Sequence, residues 1–470
     1  MNKKPNILII ISDQQNIDSI AAYNHIFKHE AYHCHWVKTP NLDRIVKKGY
    51  SFIESRSVNP VSSPARSSFF TGRYTVETGV TNNGLGIDMN VPNIGEWLSK
   101  YGYYNVYCGK WHAGGRWTYP EVEGNCIVPG FETLPVGMTA PGLTGDYVDY
   151  QVSGALSGFI RNYSDEKPFF AVAGLMNPHD ICYWKGKFLP EDDRFGLGEE
   201  RPPVPPNQVA EFELEFKDMD IHRQLFEKRN DHFSEDEWRN YIYDYQRMIE
   251  KVDSDVGRIL DAVEARNDET LVIVTSDHGE GAARHKRTEK NSPYEESLQV
   301  PLIFYLPSKV RQNVYDTSNM VSGLDIMPSI CGFAGIPTPP NCRGENLWPI
   351  VTGKSHSKKR NFTISELKQT IRIVKKGDFK YVKFYQYSGE RERPFVRKND
   401  GGFEKFQPGN SRDQYVESAI KLLFNLKKDP WENENLAKDS QYSEVIDRME
   451  ELLQREYESV VIPGTSYVRQ

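Results

Sequence analysis

Two pairs of metal-capable residues stand far apart in this chain: Asp13-Gln14 near the start and Asp277-His278 past the middle. Together they offer two carboxylates, an amide oxygen and one imidazole, a mostly hard donor set that suits Ca2+ or Mg2+ better than a zinc cage. Either aspartate alone reads more simply as a helix cap after a strand. Both, with matching neighbours, read as one metal site. Between the pairs lies Ser62-Ser63-Pro64-Ala65-Arg66. Proline close behind a serine marks the first turn of a helix, with Ser62 near its N-cap. A helix N-terminus carries partial positive charge and unpaired N–H groups, so it attracts a tetrahedral oxyanion. Arg66, one turn on, can point to the same place. Ser62 is the candidate nucleophile, weighed against the commoner role of a plain capping serine.

Such residues work only if the fold gathers them. Four short apolar runs, at 6–11, 104–108, 169–175 and 271–275, each end in a polar cluster. The clusters are Ser12-Asp13-Gln14-Gln15, Gly109-Lys110-Trp111-His112, Asn177-Pro178-His179-Asp180 and Ser276-Asp277-His278-Gly279-Glu280. Continuous apolar runs of this length fit strands buried on both faces of a mostly parallel sheet. Ligands of such sheets bind beyond the carboxyl ends of the strands. Four strands delivering Asp, Gln, Lys and His to one edge describe an active site.

Ser62-x-Pro64-x-Arg66, followed by Phe70-Thr71-Gly72-Arg73, resembles the signature of the formylglycine-dependent sulfatases of the alkaline-phosphatase superfamily. The supporting motifs stand in the same order along the chain: Asp13-Gln14, Gly109 to His112, Asn177-Pro178-His179, Asp277 to Glu280, and Lys290 with Tyr294-Glu295-Glu296-Ser297. Leu423-Phe424-Asn425-Leu426 with Asp429-Pro430 and Asn435-Leu436 resembles the family's C-terminal subdomain. The position of the commoner cysteine nucleophile is Ser62, Ala65 replaces a serine, and Gln14 stands where many relatives have a second Asp. Serine-type members are matured by an oxygen-independent radical enzyme, which implies an anaerobic bacterial source.

The resemblance implies a fold and a chemistry. The fold is an α/β sandwich with a central mostly parallel sheet flanked by helices, plus a smaller α+β subdomain with an antiparallel sheet. The site holds one divalent cation, Ca2+ before Mg2+, on Asp13, Gln14, Asp277, His278 and the oxidised Ser62. Oxidation of Ser62 gives an aldehyde whose hydrate attacks sulfur with one hydroxyl and expels sulfate with the other. Arg66 and Lys110 hold the hydrate and sulfate oxygens. His112 matches the base for elimination, and His179 and Lys290 the pair facing the leaving oxygen. His285 is a further sulfate-binding candidate. The implied substrate is a sulfate monoester on a small molecule or glycan, with aromatic and basic residues at 183–185, 284–287 and 391–393 as sugar contacts. The alternatives are a phosphate or phosphonate ester hydrolase using unmodified Ser62, and a binding protein that never acquires formylglycine.

The rest of the chain bounds these readings. Length, at 470 residues, suits one large and one smaller domain, drawn at 1–355 and 356–470 around the polar stretch 354–360. A net charge of −7 argues against general nucleic-acid binding, and no run is long enough for a membrane helix. The first strand begins so close to Met1 that a cytoplasmic location is expected unless a leader was removed. Six scattered cysteines without a CxxC pair read as mostly free thiols. Residues 202–206 form a stiff proline connector before a charged stretch in which Tyr245, Ile249, Val252, Val256 and Ile259 recur at helical spacing. Strands are expected at 370–374 and 380–384 and an amphipathic helix at 443–461. His222, His232 and His356 read as ordinary surface or structural histidines. His33-Cys34-His35 lacks further ligands and reads as a substrate-side loop or plain surface.

Overall fold

The computed structural model describes residues 4–88, 90–113, 128–136, 145–184, 201–206, 230–355, 360–387, 415–458 and 467–468. At its centre is an eight-stranded mixed sheet. The strands lie in the order Glu132–Thr133, Tyr104–Gly109, Phe169–Pro178, Asn6–Asp13, Thr270–Ser276, Leu302–Tyr305, Tyr50–Phe52 and Val314–Asp316. The four expected strands are contiguous and mutually parallel. Leu302–Tyr305 runs antiparallel to both its neighbours.

Burial explains why the apolar runs are continuous rather than alternating. Ile7, Ile9 and Ile11 pack into one core, and Leu8 and Ile10 into the other. On the second side lie the helices Gly145–Asn162 and Glu235–Glu264, through Val148, Val152, Leu156, Val252, Val256 and Ile259. Ile326–Ala334 and Ile94–Ser99 cover the first side. Glu235–Glu264 starts at a capping box in which the Ser234 side chain accepts from Glu237 N–H, and its apolar stripe is buried as the spacing predicts. The expected helical stretch also included 207–229, outside the described residues.

Four antiparallel strands, Thr363–Leu367, Ile371–Lys376, Phe379–Tyr387 and Tyr415–Asn425, form the second sheet. Tyr467–Val468 adds to its edge in parallel, which the sequence patterning did not reveal. The helix expected over 443–461 spans Ser443–Leu453 and passes into one π turn, Gln454–Glu458. No helix among the described residues is long and apolar enough to cross a membrane, and the five described cysteines are free.

The second sheet is joined to the first through both apolar and ionic contacts. Val61, Tyr294 and Leu298 share a core with Ile371, Ile373, Val382 and Phe384. Fully buried Lys380 donates to the Pro293 carbonyl at 2.8 Å and pairs with Glu295 at 3.3 Å and with Glu432. Arg56 grips the same Glu295 through Nε at 2.8 Å and Nη2 at 2.6 Å. Burial alone would raise the Glu295 carboxyl, but Arg56 and then Lys380 outweigh it and bring it down to about 2. A carboxylate depressed on folding adds stability above its unfolded value near 4.3 and loses it as pH falls through about 2. We expect the stability gap between the wild type and Glu295→Gln, measured by denaturant titration, to be full at pH 6 and to shrink steadily toward pH 2. A pH-independent gap would remove the ionic account of this junction.

Candidate active site

Helix Ser62–Thr71 is wholly buried, and its N-cap is Val61, so Ser62 is its first residue rather than its cap. The Ser62 hydroxyl does not turn back to the helix. It lies 2.9 Å from Nε2 of His278, which follows the Thr270–Ser276 strand. His278 Nδ1 faces the Gly279 carbonyl at 3.0 Å and must donate to it, which leaves the Nε2 lone pair turned toward Ser62. The plain capping role for Ser62 is therefore excluded.

Around that contact the strand ends converge. Ligand atoms of Asp13, Asp277 and His278 all lie within 4.8 Å of one another. Gln14 joins them through its backbone: its N–H donates to Asp277 Oδ1 at 3.0 Å, as does the His278 N–H at 2.9 Å. The loops are laced together further, with Gln15 N–H to Ser276 Oγ at 2.9 Å and Tyr245 OH to the Gln14 carbonyl at 2.8 Å. Gln14 itself sits at φ 73°, a left-handed turn that aims successive side chains differently from a strand.

Arg66 makes contacts the motif alone did not reveal. Its Nε donates to Asp277 Oδ2 at 2.9 Å, Nη2 to Asp13 Oδ2 at 3.1 Å and Nη1 to the Lys110 carbonyl at 2.8 Å. Two of its N–H groups are on the carboxylates and a third on a backbone carbonyl, so Arg66 holds the ligand set in register. Lys110 Nζ reaches Asp13 Oδ2 at 2.8 Å. Its direction is set at Gly109, whose φ is 95° and where a Cβ would meet the Gly174 carbonyl oxygen at 2.1 Å.

The electrostatics follow from this crowding. Burial would raise the Asp13 carboxyl, but Lys110, His179 and Arg66 hold it well below the usual carboxylate range. Burial first, and then Lys110, push His112 well down, so it is a neutral imidazole able to accept a proton. His179, held down by burial, Lys110 and Lys290, is also neutral. Lys290 resists burial because Cys182 and Asp13 raise it, so this ammonium carries the proton of the pair.

The residues fit a hard divalent cation. Asp13 Oδ1 is buried without a hydrogen-bond partner, an expensive arrangement unless something electropositive satisfies it. Two carboxylates, an amide and one imidazole are the chemistry such an ion takes. Asp13, Gln14, Asp277 and His278 would hold it, with the oxygen on residue 62.

Other candidate residues make the following contacts. His285 stacks on Tyr294 at 3.8 Å and its Nδ1 lies 2.8 Å from Glu296, which fixes the ring. Arg284 is buried against Asp18 at 2.5 Å and packs over Tyr32 and Trp431, so it ties loops together. Trp184 donates to Asp244 at 2.6 Å within an aromatic core. Lys185 and the stretch 391–393 lie outside the described residues, as do His222 and His356. His232 is exposed, and His33 is a buried histidine against Tyr245, with no ligand cluster around it among the described residues. Glu280, Glu296 and Tyr241 carry no role expected from the sequence, and Tyr245 stands there only in the helical stripe. The two glutamates stand inside motifs quoted there, but the tyrosines come from a distant helix and carry no local signal.

Comparison with known proteins agrees with this geometry. A family model described as Sulfatase matches residues 5–336, and one described as N-sulphoglucosamine sulphohydrolase, C-terminal, matches residues 283–402. A Delta 4,5-hexuronate-2-O-sulfatase from Bacteroides thetaiotaomicron is 25% identical over 94% of this chain and 87% of its own. The solved structure of a 2-O GAG sulfatase superposes with a TM-score of 0.75 at 23% identity, covering 99% of this chain and 95% of that one. A phosphonate monoester hydrolase of Agrobacterium radiobacter superposes with a TM-score of 0.71 at 22% identity, covering 96% and 95%.

Proposed function

The chain belongs to the sulfatase family, and on that premise we propose that it removes sulfate from an acidic glycan sugar, using a formylglycine made from Ser62 and one divalent cation. It is a sulfuric ester hydrolase of the alkaline-phosphatase superfamily. The observation that carries the finer reading is the Ser62 hydroxyl, 2.9 Å from His278 Nε2 beside two buried carboxylates. The named activities of the hexuronate and GAG sulfatases support the sugar.

The cation would supply Lewis-acid polarisation at the nucleophilic oxygen. Formylglycine would supply a hydrated carbonyl, and with it a route to expel sulfate that a plain serine ester lacks. Everything else falls to the chain. Arg66 keeps Asp13 and Asp277 aligned. Lys110, buried and held on Asp13, offsets the negative charge of the sulfate oxygens. Lys290 brings a proton to the departing sugar oxygen, with neutral His179 as its hydrogen-bonding companion. His112, neutral, takes the proton whose removal frees sulfate. The oxidation of Ser62 would be the work of a serine-type radical maturase.

A second reading, phosphonate or phosphate ester hydrolysis, is favoured by the fold shared with the phosphonate monoester hydrolase. A substrate panel separates them. We expect kcat/KM for a 2-O-sulfated unsaturated hexuronate disaccharide to exceed that for a phenyl phosphonate monoester by roughly 10²-fold or more. Preference for the phosphonate would establish the second reading instead.

A further inference from the structure

As a cation ligand, the Gln14 side chain has two ends that look alike but do opposite things. Only the carbonyl oxygen can bind a cation; the NH2 group repels one. Rotation about the last bond exchanges them, so something must choose.

The surroundings choose without ambiguity. Gln14 Nε2 donates to Glu280 Oε2 and lies 3.2 Å from Cys182 Sγ, while Gln14 Oε1 accepts from Lys290 Nζ at 2.5 Å and lies 3.4 Å from the same sulfur. Lysine can only donate, so Lys290 fixes the amide oxygen on its own side and leaves the NH2 group to Glu280. The other Glu280 oxygen, Oε1, takes the Tyr241 hydroxyl at 2.8 Å, the Ala282 N–H at 3.1 Å and the Glu289 N–H at 2.6 Å. Glu280 is fully buried, and each of these four partners presents a donor to it. Its main chain is tied down as well, by Asn16 Nδ2 to the Glu280 carbonyl at 2.9 Å and Glu280 N–H to Asn16 Oδ1 at 2.5 Å.

The geometry points to Glu280 as the positioning residue that keeps the Gln14 NH2 group on its own side and the amide oxygen on the Lys290 side, available to the cation, and so sets the affinity of that site for a hard divalent ion. This rests on the reading that Asp13, Gln14, Asp277 and His278 hold the cation. The reason is a donor count. Both Glu280 oxygens must accept, one from Gln14 and one from two backbone N–H groups. An amide in place of Glu280 can accept on one side only. The two backbone donors cannot turn away, so the introduced NH2 faces Gln14 and drives its amide to flip. The Gln14 NH2 group then faces Lys290, and the oxygen is no longer available to the cation. Outer partners of metal ligands change affinity by about 10- to 100-fold.

Calcium binding to the metal-free full chain, measured by titration calorimetry, tests this without any turnover. Glu280→Gln is expected to weaken Ca2+ binding by about 10- to 100-fold. Adding Gln14→Glu to it should restore most of the affinity, because a carboxylate at 14 accepts from the introduced NH2 and still offers an oxygen to the ion. A merely structural role for Glu280 would not produce that rescue. Wild-type affinity in Glu280→Gln, or no recovery in the double variant, overturns the proposal. Should the single variant not fold, the double variant, matched at both ends, carries the test by binding Ca2+ or failing to. Asp277→Asn is the control for the underlying reading: if it keeps wild-type affinity, the cation site itself is misplaced, whatever Glu280 does.

Discussion

Protein made in a host without a serine-type radical maturase is expected to hydrolyse sulfate esters roughly 10³- to 10⁶-fold more slowly than protein co-expressed with one, the scale on which loss of a covalent nucleophile acts. The gain should coincide with a loss of about two daltons from the peptide carrying Ser62, since oxidation of an alcohol to an aldehyde removes two hydrogens. The physical ground is the position of the hydroxyl. At 2.9 Å from His278 Nε2 and within a buried cluster of carboxylates and cations, Ser62 is placed for nucleophilic attack. A simple sulfated serine would then have to be attacked by water at a hindered anionic centre. Ser62→Ala should be inactive from either host. Full turnover by protein shown by mass spectrometry to contain only serine would overturn the mechanism, and would favour the ester-hydrolase reading in which Ser62 acts unmodified.

The second large effect separates the two halves of the reaction. Lys290→Ala and His179→Ala are each expected to lower kcat/KM on a sugar sulfate by about 10²- to 10⁴-fold, the usual contribution of a positioned acid. On a nitrophenyl sulfate the loss should be far smaller, because that phenolate leaves without a proton. Lys290 should be the more sensitive of the two. It stays charged where His179 is kept neutral by burial, Lys110 and Lys290 itself. His112→Ala should behave differently, with both esters slowed alike and an early burst of released phenol, since sulfate release is common to both substrates. Equal losses on sugar and phenyl esters for the Lys290 and His179 variants would rule out the general-acid assignment.

Much of this site was legible in the residues alone. Strands buried on both faces must be apolar throughout, so the runs at 6–11, 104–108, 169–175 and 271–275 announced themselves, and their polar ends marked one edge of the sheet. Asp13, Lys110, His112, His179 and Asp277 were read as one group on that ground, because parallel neighbours share the same end. Likewise the helical spacing of Tyr245 through Ile259 predicted a buried stripe, and hydrogen-bonding chemistry did not enter into it.

What the sequence could not contain is which atom faces which. A motif names Ser62 and Arg66 as partners in chemistry. Only the packed structure shows that Ser62 leaves the cap to Val61, or that Arg66 spends its guanidinium on Asp13 and Asp277. The same holds for Tyr241, Glu280 and Lys380, which act across separations of 39, 266 and 87 residues on Glu280, Gln14 and Pro293. Such contacts leave no periodicity, because a hydrogen bond depends on direction at the last ångström while a sequence pattern records only which face of an element is dry. Apolar patterning thus determined the sheet and the edge at which chemistry occurs. The orientation of each donor and acceptor at that edge was decided by tertiary packing, where every buried polar atom has to find its counterpart.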